Sequence, residues 1–67
     1  SREVVFEVGE MLASGHEALV STDQLEGFRV CWSAYDMRGT GRVVLPADTM
    51  EALQIKNGHK GRIWMRS

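Results

Sequence analysis

Residues 25–47 read LEGFRVCWSAYDMRGTGRVVLPA, and the fold expected for this 67-residue chain depends on that segment. Apolar side chains recur in it at steps of three and four, which puts them on one stripe of a helix: Leu25, Phe28, Trp32 and Tyr35. A helix is therefore predicted over 23–35. Ser21 and Gln24 have the spacing of a capping box at its beginning.

Helices are also predicted on both sides of this segment. Over Glu3–Ala13 the apolar residues again fall on one helical face. The β-branched pair Val4-Val5 at its beginning also suits a strand. Pro46 fits the first turn of an exiting helix, which is expected to reach Ile55.

Between two of these helices, residues 36–47 have the outline of a calcium-binding loop. Gly41 at the sixth place allows the sharp bend, and Val43 at the eighth place suits a short strand. The loop supplies few oxygen ligands for calcium, because Arg38 and Ala47 occupy positions where acidic side chains are needed. No metal is therefore expected, and the oxygens that could bind one belong to Asp36, Thr40, Arg42 and Asp48. The alternative is ordinary turn chemistry joining a helix to a strand.

The segment from Leu25 to Asp36, followed by Gly41-Arg42-Val43, resembles the degenerate EF-hand at the start of the cytoplasmic C-terminal region of voltage-gated calcium and sodium channels. That family has a Leu, Phe, Trp and aromatic-Asp register, and a Gly-Arg-Ile step in a loop poor in acids. The resemblance implies a calmodulin-like, EF-hand-like helix–loop–helix over about 22–56. With the helix predicted over Glu3–Ala13, the expected fold is all-α, in one small domain of residues 1–67. Residues 41–44 and 61–64 are alike, and they could pair as a short β-ribbon.

Composition excludes several classes of function. With eight basic and nine acidic side chains, the chain is nearly neutral, so no strong electrostatic attraction to nucleic acid is expected. No apolar run is long enough to span a membrane, and no signal peptide is visible. A cytoplasmic location is therefore expected, and the channel resemblance implies the inner face of a membrane. Without a Ser/His/acid or Cys/His constellation or a phosphate-binding loop, the chain is not expected to be an enzyme.

The function expected from these patterns is that of a calcium-independent regulatory module for protein–protein interaction. Its partner would be an amphipathic helix or another segment of the parent protein. No cofactor is expected. The alternatives are a calcium sensor with an irregular loop and a purely structural fragment of a larger assembly. The residues predicted to contact the partner are apolar: Val5, Val8, Leu12, Phe28, Trp32, Leu53 and Trp64.

Overall fold

The computed structural model describes residues 2–10, 16–23 and 27–65, and most of them lie in strands. The elements follow one another along these residues as β1 (Arg2–Val8), β2 (Glu17–Thr22), β3 (Val30–Ala34), β4 (Asp36–Met37), β5 (Arg42–Leu45), α1 (Ala47–Leu53) and β6 (His59–Met65). Valines are frequent in β1 and β5, where their branched side chains suit a pleated surface.

All of these strands belong to one sheet, in the order β3-β2-β6-β1-β5-β4. β1 and β5 run parallel, and the other neighbouring pairs are antiparallel. β6 therefore lies between the first two strands. Gly61 marks the junction, since it is opposite Val4 of β1 and Thr22 of β2.

The core lies where α1 packs on one face of the sheet. Met50 and Leu53 are buried at a spacing of three residues, so one side of α1 faces the strands. Burying a side chain of this size stabilises a fold by about 1.5–3 kcal/mol. Cys31 and Tyr35 pack against the edge of the core, whose buried members are Val4, Phe6, Ala18, Val20, Val43, Leu45, Met50, Leu53, Ile55 and Ile63.

The expected all-α fold is wrong, and β1 shows why. Val4 and Phe6 are buried while Val5 and Glu7 are only half-buried, which is the alternation of a strand. The apolar spacing over Glu3–Ala13 fitted a helix as well, but the β-branched residues decided the local structure together with pairing to β5 and β6.

The helix predicted over 23–35 is wrong for a similar reason. Its described part contains Gly27 with a positive φ of 72° and then β3, whose side chains alternate between the two faces. A glycine with positive φ interrupts a helix and begins a new direction of the chain. Residues 24–26 lie outside the described residues.

The exiting helix is confirmed, although it is shorter than predicted. It begins after Pro46 and ends at Leu53, because Gln54 adopts the left-handed conformation with a φ of 58°. The segments 41–44 and 61–64 are strands β5 and β6, but β1 lies between them, so the proposed ribbon does not form.

A β-hairpin occupies most of the segment interpreted as a calcium loop. β4 and β5 pair antiparallel with Asp36 opposite Val44, and the Arg38 N–H donates to the Arg42 carbonyl at 2.8 Å. Gly39 and Gly41 supply the positive φ angles, 67° and 75°, that the tight turn requires. The alternative of ordinary turn chemistry fits this geometry, and the EF-hand interpretation is wrong.

Candidate functional site

The outer face of the sheet, opposite the core, carries a strip of exposed apolar side chains. Leu19 of β2 is opposite Trp32 of β3 on one side and opposite Trp64 of β6 on the other. Val30 lies two residues before Trp32 and therefore points to the same face. Trp32 is 49% exposed, Val30 44% and Trp64 38%. We call Leu19, Val30, Trp32 and Trp64 the outer strip.

The other half of the outer face is charged. Glu3 of β1 is opposite Arg62 of β6, and the Arg42 guanidinium donates to the Glu7 carboxylate across the parallel pair β1–β5. An exposed ion pair of this kind contributes about 0.2–1 kcal/mol. The outer face is thus apolar where Trp32, Leu19 and Trp64 lie next to one another, and charged where Glu3 and Glu7 of β1 meet Arg62 and Arg42.

A second feature is a depression of about 240 Å³ lined by His16, Tyr35, Asp36 and Met37. The Tyr35 N–H donates to the His16 carbonyl at 3.2 Å, which holds the end of β3 beside the start of β2. The two rings lie with centroids 6.2 Å apart. We call this depression the His16 pocket. It brings an imidazole, a phenol and a carboxyl group together, so it could bind a cation or a polar group.

Hydroxyl and thiol groups near the pocket are structural. Ser33 donates to the Ala34 carbonyl, so its hydroxyl accepts from Thr49 at 2.8 Å and ties α1 to β3. Burial raises the pKa of the Cys31 thiol, and the Asp48 carboxylate raises this pKa further. A thiol with a raised pKa is a poor nucleophile at neutral pH.

The predicted partner-contact residues do not form one surface. Trp32 and Trp64 lie in the outer strip, whereas Leu53 is buried in the core. Val8 is exposed at the end of β1, Phe28 is exposed before β3 begins, and Val5 is half-buried in β1. Leu12 lies outside the described residues. A protein partner stays a prediction.

The possible ion ligands are spread over several elements. Asp36 is in β4, Thr40 is at the tip of the hairpin, and the Arg42 side chain pairs with Glu7. Asp48 is in the first turn of α1, beside Cys31. Within residues 2–10, 16–23 and 27–65, no group of three or more His, Cys, Asp or Glu side chains is arranged to hold a metal ion. The helix present in these ranges is also too short and too polar to cross a membrane.

Sequence reasoning missed two members of the outer strip, Leu19 and Val30. For Val30 a signal was available, because Val30, Trp32 and Ala34 alternate as on one face of a strand. Leu19 had no such signal, since Glu17 and Ser21 are its neighbours on that face. The same reasoning missed the His16 pocket, because its lining residues come from two separate parts of the chain, His16 and 35–37.

Comparison with known families gives one match, and it overturns the channel interpretation. A family model that describes the C-terminal domain of the arginine N-succinyltransferase beta subunit matches residues 1–64. No curated protein and no solved structure matches the chain.

The match corrects the expected function and the expected family. The family is one of enzymes, so the expectations of a non-enzymatic protein and of a calcium-independent regulatory module are wrong. The EF-hand, calmodulin-like and ion-channel assignments are wrong too, since both the sheet and the family exclude them. With residues 1–64 of its 67 matched, the chain belongs to the family formed by the C-terminal domain of the arginine N-succinyltransferase beta subunit.

Proposed function

We propose that this chain is part of an enzyme that transfers a succinyl group to a nitrogen of arginine. The observation that supports this proposal is the family match over residues 1–64. Since the family is described as a C-terminal domain of a beta subunit, the chain works together with the remainder of that subunit. A cytoplasmic location belongs to the same proposal, because the free, half-buried Cys31 suits a reducing compartment.

Within this enzyme, the His16 pocket is our candidate for contact with the arginine side chain. A guanidinium group is recognised by a carboxylate that accepts two of its N–H groups, and by an aromatic face on which it stacks. Asp36 and Tyr35, which carry these two groups, both line the pocket. Met37 adds an apolar wall for the methylene stem.

The test uses the full-length beta subunit that carries this sequence. It is incubated with L-arginine and a succinyl thioester, and N-succinylarginine is measured by mass spectrometry. The proposal predicts that N-succinylarginine forms and that removal of this chain abolishes or strongly reduces it. A folded full-length protein that forms no N-succinylarginine, with or without its companion subunits, contradicts the proposal.

The role of the pocket is tested by Asp36→Asn, with Asp23→Asn as a matched control on an exposed residue. Charge-assisted hydrogen bonds contribute about 1.5–3 kcal/mol. The KM for arginine is therefore expected to rise about 10–100-fold in Asp36→Asn, with a small change in kcat. An unchanged KM in a folded Asp36→Asn variant removes the pocket from the proposal and leaves the enzymatic assignment in place.

A further inference from the structure

The outer strip gathers partly exposed apolar side chains into one patch. Trp32 and Trp64 are 49% and 38% exposed, and aromatic rings of this kind bury 150–250 Å² when covered, so each leaves about 60–120 Å² in water. Together with Val30 and Leu19, the strip comes to on the order of 300 Å², within the size range of the largest apolar patch on a typical soluble protein, which is often a functional surface.

The area also indicates which kind of partner fits. A stable complex between separate proteins buries about 800 Å² on each side, more than the strip offers. Interfaces between domains of one chain bury about 600–1,500 Å² in total, or roughly 300–750 Å² on each side. The strip reaches the lower end of the range for a contact between two parts of one polypeptide and is less than half of what a separate partner needs.

The polarity of the outer face sets the limits of such a contact. Charged residues begin directly beside the strip, with Arg62 and Glu3 opposite each other on β6 and β1. A polar margin around an apolar centre is the usual anatomy of an interface. The covered part is thus centred on Trp32, Leu19 and Trp64, with Glu3 and Arg62 at its margin.

We infer that the outer strip docks onto the preceding domain of the same beta subunit. This inference rests on the proposed function, because it takes the occupant from the family's description as a C-terminal domain. The occupant presents an apolar surface, into which the two indole rings insert. The docked contact fixes the position of the His16 pocket relative to the rest of the enzyme.

The experiment is hydroxyl-radical footprinting of the full-length beta subunit, with oxidation of each residue measured by mass spectrometry. Trp32 and Trp64 are expected to be oxidised about fivefold more slowly in the folded protein than after unfolding in urea. Met37 of β4, at the opposite edge of the sheet from β3, serves as the internal reference and is expected to react freely. Free oxidation of both indoles in the folded protein overturns the inference.

Two matched variants add a second test. Val30 and Val8 are 44% and 46% exposed, but Val8 lies at the end of β1, outside the strip. Val30→Ser is expected to raise the oxidation of Trp32 about threefold, and Val8→Ser is expected to leave it unchanged. Equal effects of the two substitutions contradict a contact centred on the strip.

The remaining outcomes distinguish a second copy of the chain from the preceding domain as the occupant. They also distinguish failure of the docking inference from failure of the proposed function. Protection that grows with protein concentration would assign the strip to a second copy and overturn the inference. Protected indoles in a protein that makes no N-succinylarginine would support docking and contradict the proposed function. Freely oxidised indoles in a protein that makes N-succinylarginine would support the proposed function and contradict docking.

Discussion

Gly61 is the residue whose substitution should damage this fold most. It lies in the middle of β6, between Val4 of β1 and Thr22 of β2. A Cβ atom built there overlaps the Phe6 ring and the carbonyl oxygen of Ser21. Phe6 is fully buried and the Ser21 oxygen belongs to the backbone of a neighbouring strand, so neither can move away without disturbing the sheet.

The expected cost of Gly61→Ala follows from these two contacts. An extra methyl group in a packed core costs about 1–3 kcal/mol. Displacing a strand also weakens backbone hydrogen bonds, each contributing about 1 kcal/mol. The sum, about 3 kcal/mol or more, is a large part of the roughly 3–10 kcal/mol expected for the free energy of unfolding of 67 residues.

Urea unfolding followed by tryptophan fluorescence measures this change. With a slope near ~1 kcal/mol/M, the midpoint of Gly61→Ala should fall by about 3 M. The control is Gly39→Ala at the hairpin turn, where a Cβ meets no atom and only the positive φ of 67° is strained. That strain costs about 1–2 kcal/mol. If Gly61→Ala unfolds at the same urea concentration as the wild type, or later than Gly39→Ala, the described packing of β6 is refuted.

Three further predictions concern buried groups. Leu53→Ala should lower the free energy of unfolding by about 2–5 kcal/mol, as measured in urea, because Leu53 is a core residue and not a surface contact. Ser21→Ala should leave stability unchanged or raise it by about 1 kcal/mol in the same assay, because the buried Ser21 hydroxyl has no hydrogen-bond partner among the described residues; a loss above about 1 kcal/mol would reveal one. Cys31 should react slowly with iodoacetamide at pH 8 and faster as the pH rises, because burial and Asp48 raise its pKa and only the thiolate reacts. Asp48→Asn lowers that pKa, so the variant should react faster at the same pH, and an unchanged rate would contradict the assigned cause.

The part of the fold that local sequence could predict lies between Gly39 and Leu53. Glycines in the turn, the valines of β5 and Pro46 before α1 each act through their own backbone preferences. Those preferences do not depend on distant residues, so the turn and the exiting helix could be predicted from the local sequence.

Strands β1 and β3 were harder to predict from the sequence, because the spacing of their apolar residues fits both a helix and a strand. Phe28, Trp32 and Tyr35 are four and three residues apart, as on a helix, yet Trp32 faces outward while its neighbours Cys31 and Ser33 turn toward the core. Gly27 was the local signal against a helix.

The position of β6 could not be predicted from local patterns at all. It depends on pairing between residues about 40 to 60 apart along the chain, whose energy no short window contains. The outer strip depends on the same pairing, because Leu19 joins Trp32 to Trp64 only when β2 lies between β3 and β6. The His16 pocket likewise forms where β2 and β3 pair.

The most direct test of the central claim, that one sheet carries an apolar strip across β3, β2 and β6, is a nuclear Overhauser spectrum of the chain. Residues directly opposite each other on neighbouring strands have Cβ atoms about 4.5–5.5 Å apart. We therefore predict cross-peaks from the Leu19 methyl groups to both indole rings, Trp32 and Trp64. Cross-peaks linking Phe28 to Trp32 in the i to i+4 pattern of a helix, with none from Leu19 to Trp64, would contradict the account.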